Sequence, residues 1–170
     1  MKFLNSAALT CLFFTRLALA TDAIPPCEVH SSLLPIDNAN ALHLEKTTAN
    51  QYTTQAHVEG LITTVYPNRN GHNHFAIQLG DDASQGIEVV YSIAFGALPQ
   101  LTPGMKVEAC GEFINSDAPT SQYPASPMGA IIHWVHTNLK QGANAHPSGF
   151  IVIDGALFGE KVGKSSPNGG

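Results

Sequence analysis

The feature that most constrains the fold is a series of short β-type runs separated by turn residues, beginning near residue 56. The runs span residues 56–65, 72–79, 87–93, 105–114, 129–135 and 149–154. Gly, Pro, Asn and Ser, which favour turns, are frequent between them, notably over residues 66–71, 80–86 and 115–128. Five or six short strands of this kind predict a mainly β domain, either a small OB-like β-barrel or a β-sandwich.

The run around Gly111 favours the barrel. Residues 101–113 join a Pro-Gly turn to a strand that contains Gly111, where a coiled sheet needs a small residue. Gly60 predicts a bulge or bend in the first strand. We therefore expect an OB-like barrel over residues 55–160, preceded by an N-terminal arm over residues 21–54.

The arm has no clear strand period, and its prolines interrupt it. Residues 39–49 predict a short helix with Asp37 or Asn38 as its N-cap. At the other end of the chain, residues 161–170 are rich in Gly, Ser, Pro and Asn and are predicted to be disordered.

Residues 1–20 have the pattern of an export signal. Lys2 precedes an apolar core, and Ala18 and Ala20 fit a cleavage site directly after Ala20. The apolar run is too short to span a bilayer, and no later segment is apolar enough to do so. The sequence therefore predicts an exported protein, either periplasmic or secreted, with no membrane span.

Charge excludes two classes of partner. Cleavage after Ala20 removes Lys2 and Arg16 and no acid, so six Lys and Arg face 13 Asp and Glu, a formal net charge of −7. This balance argues against non-specific nucleic-acid binding and against adhesion to anionic lipid, since both depend on Lys and Arg. We expect a monomer whose partner is a protein or a small-molecule ligand.

Signal cleavage would also leave an even number of cysteines. Cys11 is lost with the signal, whereas Cys27 and Cys110 remain. In an oxidising compartment this pair predicts one disulfide between the arm and a central strand. The alternative is two unpaired thiols.

Histidines are the strongest candidates for a functional site. His133, His136, His146 and the only tryptophan, Trp134, lie between residues 129 and 150. Imidazole is the commonest metal ligand and suits zinc and other transition metals. The candidate metal ligands are His72, His133, His136 and His146, and the candidate pocket residues are Trp134 and His74.

The spacing of these residues leaves alternatives open. His72 and His74 share a face of their strand, where they are either ligands or solvated side chains. His133 and His136 fall on opposite faces unless the strand ends near Trp134, which is itself either pocket wall or core. Glu112 is either a general base, a partner that orients a histidine, a metal ligand, or a solvated carboxylate.

Four short motifs lie along residues 58–158: His72 with Phe75, Gly111-Glu112-Phe113, His133-Trp134-Val135-His136 and His146-Pro147-Ser148-Gly149-Phe150. With these motifs, the segment resembles the uncharacterised bacterial family called domain of unknown function 3465. It implies an OB-like barrel and export, but no reaction. The chain departs from the family pattern at Thr137, where a further histidine is usual, and at Tyr91-Ser92, where a His-Asn pair is usual.

Two functions follow as hypotheses. The first is an exported β-barrel that acts as a binding or effector module, such as a secretion-system substrate of a Gram-negative bacterium. The alternative is a metal-dependent, phosphodiesterase-like hydrolase that uses the histidines and Glu112. No standard catalytic motif decides between them, so the sequence leaves open whether the protein is an enzyme.

Overall fold

The computed structural model describes residues 23–140 and 146–160. Its elements are β1 (Glu28–Val29), β2 (Ser32–Leu33), α1 (Asn38–Thr47), β3 (Thr53–Arg69), β4 (His72–Gln78), β5 (Gly86–Ser92), β6 (Lys106–Asn115), β7 (Ala130–His133), β8 (Phe150–Ile153) and β9 (Ala156–Phe158), with a short 3₁₀ turn at Ile93–Phe95. The predicted export signal and the predicted disordered tail lie outside the described residues.

Five strands close into a ring of hydrogen-bonded neighbours. The order is β3-β4-β5-β7-β6, and β6 pairs back with β3. β5 and β7 are parallel, whereas the other neighbours in the ring are antiparallel. The predicted mainly β fold is confirmed, and the closed ring of five strands is compatible with the predicted OB-like barrel.

The barrel interior is filled by alternate residues of the five strands, as a period of two requires. Fully buried examples are Val58, Phe75, Ile77, Val89, Tyr91, Phe113 and Ile132. The residues between them on β4, β5 and β7 point to the outer face of the barrel, where the candidate site lies.

β3 pairs with two neighbouring strands, and Gly60 lies where the pairing changes from β6 to β4. Residues Thr53 to Leu61 pair with β6, and residues from Leu61 onward pair with β4. A Cβ atom at position 60 would lie 2.0 Å from the Gln78 carbonyl oxygen, so only glycine allows the two strands to approach this closely.

The turn predicted over residues 66–71 is wrong in extent. β3 continues to Arg69, and only Asn70 and Gly71 form the turn, both with positive φ. The pairing register skips from Tyr66 to Arg69, so Pro67 falls in an irregular stretch of the strand that tolerates its missing N–H.

β7 and β8 share one edge of β6 in succession. β7 pairs with the second half of β6 and ends at His133, and β8 pairs with the first half, beginning at Phe150. Gly111 lies at the junction, where a Cβ atom would lie 2.4 Å from the His133 carbonyl oxygen. The junction therefore brings the end of β7 and the start of β8 together beside β6.

The arm is held to the barrel by a helix and a disulfide. Asp37 is the N-cap of α1, and its side chain accepts from the Asn40 amide, as predicted. The predicted disulfide is confirmed, because Cys27 and Cys110 are bonded with Cα atoms 5.7 Å apart. Sequence analysis missed the short β1–β2 hairpin of the arm and the final strand, β9.

No helix in the described part of the chain has the length and hydrophobicity that a bilayer-crossing segment needs.

Candidate functional site

A cleft of about 560 Å³ lies on the outer face of β4, β5 and β7. We call it the cleft throughout. Its floor includes His72 and His74 from β4, Glu88 and Val90 from β5, and Ile131 and His133 from β7. One wall is the loop between β6 and β7, through Gln122, Tyr123, Pro124 and Ser126, and Arg69 and Asn70 form the opposite rim.

Glu88 is the buried carboxylate of the cleft, with a side chain that is 1% exposed. Its Oε1 accepts from Nδ1 of His74 at 2.7 Å and from the Arg69 guanidinium at 3.3 Å. Its Oε2 accepts from the Ser126 hydroxyl at 2.7 Å. Both carboxylate oxygens are therefore occupied, and Glu88 links the floor of the cleft to its loop wall.

Sequence analysis missed Glu88. It lies 14 residues beyond His74 in the chain, and only the pairing of β4 with β5 brings the two together. The sequence offered one sign of it, since Glu88 is the single charged residue within the apolar run Ile87–Tyr91. A glutamate in such a run needs a partner if that face of the strand is buried.

The cleft continues into a series of packed rings that we call the histidine cluster: His72, His74, His133, His136 and His146, with Trp134. Ring centres lie 5.5 Å apart for His72 and His133, 4.4 Å for His133 and Trp134, 4.4 Å for Trp134 and His146, and 5.2 Å for His136 and His146. The predicted site histidines therefore do come together, as two pairs on either side of Trp134.

Trp134 explains how His133 and His136 reach one cluster. It has a φ of +54°, a left-handed conformation that is rare for a bulky side chain. β7 ends at His133 directly before it, so the strand alternation that would separate the two histidines stops there. His133 and His136 were predicted to share a site only if the strand ended near Trp134, and the strand does end there.

In four histidines of the cluster, Nδ1 lies within hydrogen-bonding distance of an oxygen atom that can only accept. The pairs are His72 with Asn70 O at 2.8 Å, His74 with Glu88 Oε1 at 2.7 Å, His136 with Thr137 O at 3.0 Å, and His146 with Pro147 O at 2.7 Å. A neutral imidazole in this position carries its proton on Nδ1 and leaves a lone pair on Nε2. In their neutral form these four rings therefore present nitrogen acceptors.

His133 differs from these four. Its Nε2 atom is buried and has no hydrogen-bond partner among the described residues. Burial, reinforced by the neighbouring histidines His72, His136, His146 and His74, lowers the pKa of His133 to about 4. Burial also lowers the pKa of His136. Both rings are therefore neutral at physiological pH.

The depressed pKa of His133 predicts acid destabilisation of the metal-free protein. Because unfolding restores a pKa near 6.5, the unfolded chain binds the extra proton first as the pH falls. The stability associated with a neutral His133 is complete above about pH 6.5 and is lost progressively towards pH 4, by up to about 3 kcal/mol. Urea unfolding at several pH values in chelator measures this loss.

His133→Phe is the matched variant for that titration, because it keeps a ring and removes the proton site. The difference in unfolding free energy between wild type and variant should change between pH 6.5 and pH 4. Parallel pH profiles for the two proteins would contradict the assignment.

Glu112 pairs with His133 across β6 and β7 and lies at the junction with β8. Burial raises the pKa of its carboxyl, while the charge of His146 and a hydrogen bond from the Trp134 side chain partly oppose the rise. Glu112 therefore joins the histidine cluster on the Trp134 side, and its predicted catalytic role stays a prediction.

Within residues 23–140 and 146–160, no three His, Cys, Asp or Glu side chains are arranged around one point as ligands of a metal ion. The four histidines predicted as one ligand set are split into two pairs by Trp134. Metal binding therefore stays a prediction, and the geometry points to pairs rather than to a four-ligand centre.

No protein-family model matches the chain, and no curated protein is significantly similar to it in sequence. The resemblance to domain of unknown function 3465 stays a prediction.

Proposed function

We propose that the protein is an exported ligand-binding barrel, with the cleft as its binding site. The observation that carries the proposal is the position of the cleft. Counting the barrel strands from β3, the cleft lies on strands two, three and five and is bounded by the loop between one and two and the loop between four and five. OB-type barrels commonly bind their ligands on this surface.

The size and lining of the cleft support a small ligand. Its volume of about 560 Å³ is within the usual range for small-molecule sites. Val90, Ile114 and Ile131 supply apolar surface, while Tyr123 and the histidines supply polar groups and ring faces. This mixture suits a compact molecule with both apolar and hydrogen-bonding parts.

Charge favours a neutral or cationic ligand over an anion. Arg69 is already paired with Glu88, so its charge is not free for an anion, and the His133 ring is neutral because burial lowers its pKa to about 4. The formal charge of −7 expected after signal cleavage acts in the same direction. The disulfide and the N-terminal export pattern support a periplasmic or secreted location.

A binding role is preferred to the metal-dependent hydrolase. The hydrolase hypothesis needs several histidines around one ion with Glu112 as base, whereas the rings lie in two separate pairs. Binding needs only the cleft itself.

Filling the cleft tests the proposal. Trp134, the only tryptophan, lines the cleft, so its fluorescence reports ligands directly. We expect at least one class in a panel of neutral saccharides, amines and short peptides, assayed in chelator, to shift Trp134 emission. Ile131→Phe, which adds bulk to the floor, should abolish the shift.

Leu61→Phe is the matched control, since Leu61 is 52% exposed on β3 and does not line the cleft. It should bind like the wild type. If no class binds at millimolar concentration, or if Ile131→Phe binds unchanged, the cleft is not the binding site.

A further inference from the structure

His72 and His133 both line the cleft, and their ring centres have the spacing of two ligands on one metal ion. In a zinc site with bonds of roughly 2.1 Å and tetrahedral angles, two imidazole ring centres lie about 5 Å apart. The centres of His72 and His133 are 5.5 Å apart, with ring planes inclined at 58°.

The hydrogen bond of His72 and the unpartnered Nε2 of His133 fit the same chemistry. His72 directs Nδ1 to the Asn70 carbonyl oxygen at 2.8 Å, which fixes the ring and leaves the Nε2 lone pair free. Histidines that bind metals almost always have such a second partner. His133 contributes the buried, unpartnered Nε2, and a buried polar atom of that kind needs an explanation such as an ion or a water.

We propose that His72 and His133 bind one divalent transition-metal ion of the zinc class at the floor of the cleft. Water or an atom of a cleft ligand completes the coordination. This inference rests on the proposed function, because the ion must reach the two histidines through the cleft. It deepens that function by naming the metal ion as one ligand of the cleft.

The donor set selects the type of metal. Imidazole nitrogens suit zinc, copper and nickel, whereas calcium and magnesium require oxygen ligands. Glu88 is not available as an oxygen ligand, because His74, Arg69 and Ser126 already occupy its carboxylate. The site should therefore prefer zinc strongly over magnesium.

The second pair, His136 and His146, has a similar spacing of 5.2 Å but a different environment. His136 is only 4% exposed and stacks on Phe95 with ring centres 3.5 Å apart. Neither His136 nor His146 lines the cleft, so this pair serves as the internal comparison.

Zinc titration of the chelator-treated mature protein tests the proposal. We expect one equivalent of zinc by calorimetry, and copper(II) should quench Trp134, whose ring centre is 4.4 Å from that of His133. His72→Ala and His133→Ala should each weaken zinc binding at least about tenfold, since even the loss of an outer partner of a ligand costs that much. Magnesium should not compete.

The controls separate this site from other histidines. His43→Ala, on the exposed face of α1, and the double variant H136A/H146A should keep wild-type zinc affinity. If His133→Ala does not fold, His72→Ala decides alone, because His72 is at the partly exposed start of β4. Zinc binding that survives His72→Ala, or that disappears only in H136A/H146A, overturns the proposal.

Failure of this proposal is distinguishable from failure of the proposed function. If the protein takes up no zinc but binds an organic probe in chelator, the proposed binding function stands and only the metal site is refuted. A protein that binds zinc through His72 and His133 but no organic probe retains the metal site alone.

Discussion

Replacing Cys27 and Cys110 together with alanine is expected to lower the free energy of unfolding by about 4 kcal/mol. The disulfide joins residues 83 positions apart, so it removes a large amount of conformational freedom from the unfolded chain. It also fixes the arm to β6, where both cysteines are buried against Phe150 and Val152. Urea unfolding at equilibrium, with the midpoint and slope both recorded, measures the change.

Reduction supplies the matched control for this prediction. Dithiothreitol should destabilise the wild type by a similar amount, because the reduced wild type keeps its sulfur atoms and loses only the bond. It should leave the double variant unchanged, because that variant has no disulfide to reduce. A double variant that unfolds at the wild-type urea concentration would show that the bond contributes little. Equal effects of dithiothreitol on both proteins would point to an effect unrelated to the disulfide.

Local sequence patterns predicted most of the strands because they repeat with a period of two and end at turn residues. Residues 72–79 predicted β4, which spans His72–Gln78, and residues 105–114 predicted β6, which spans Lys106–Asn115. Patterns failed where a partner strand decides the outcome. The three residues of β9 form a strand because β8 lies beside them, and no periodicity is readable over three positions.

The candidate site was only partly predictable for the same reason. The histidines were visible as residue types, but their grouping depends on β7 ending at His133 and on the left-handed φ of Trp134. Glu88 was not found because its partners come from β4 and from the loop before β7. Contacts that cross the sheet depend on register, which a single sequence specifies only weakly.

These contacts also explain why the site lies at this place in the barrel. β6 is long enough to pair with β7 and then β8 along one edge, and the exchange between them needs Gly111 and Gly149, where a Cβ atom would collide with backbone carbonyl oxygens. The chain that leaves the sheet here carries Trp134 to the cleft, and His136 follows two residues later. The change from β7 to β8 along one edge of β6 therefore creates the cluster beside the cleft.

Replacing Glu88 with alanine is expected to lower the free energy of unfolding by about 1–3 kcal/mol, the usual cost of leaving a buried donor without its acceptor. The variant leaves Nδ1 of His74 without its acceptor, while the Ser126 hydroxyl loses Glu88 and keeps only the Ala130 carbonyl oxygen at 3.2 Å. The loop wall should also loosen, since Ser126 is its anchor. Urea unfolding measures the first effect, and limited proteolysis within residues 116–129 measures the second.

Glu59→Ala is the matched control, because Glu59 forms an ion pair with Lys106 at 3.0 Å on the surface. Exposed pairs of this kind contribute at most about 1 kcal/mol, so this variant should unfold close to the wild type. Ser126→Ala separates the two effects of Glu88, since it should loosen the loop while leaving His74 bound. If Glu88→Ala costs no more than Glu59→Ala, the carboxylate does not organise the cleft, and the floor and wall must be held together by apolar packing alone.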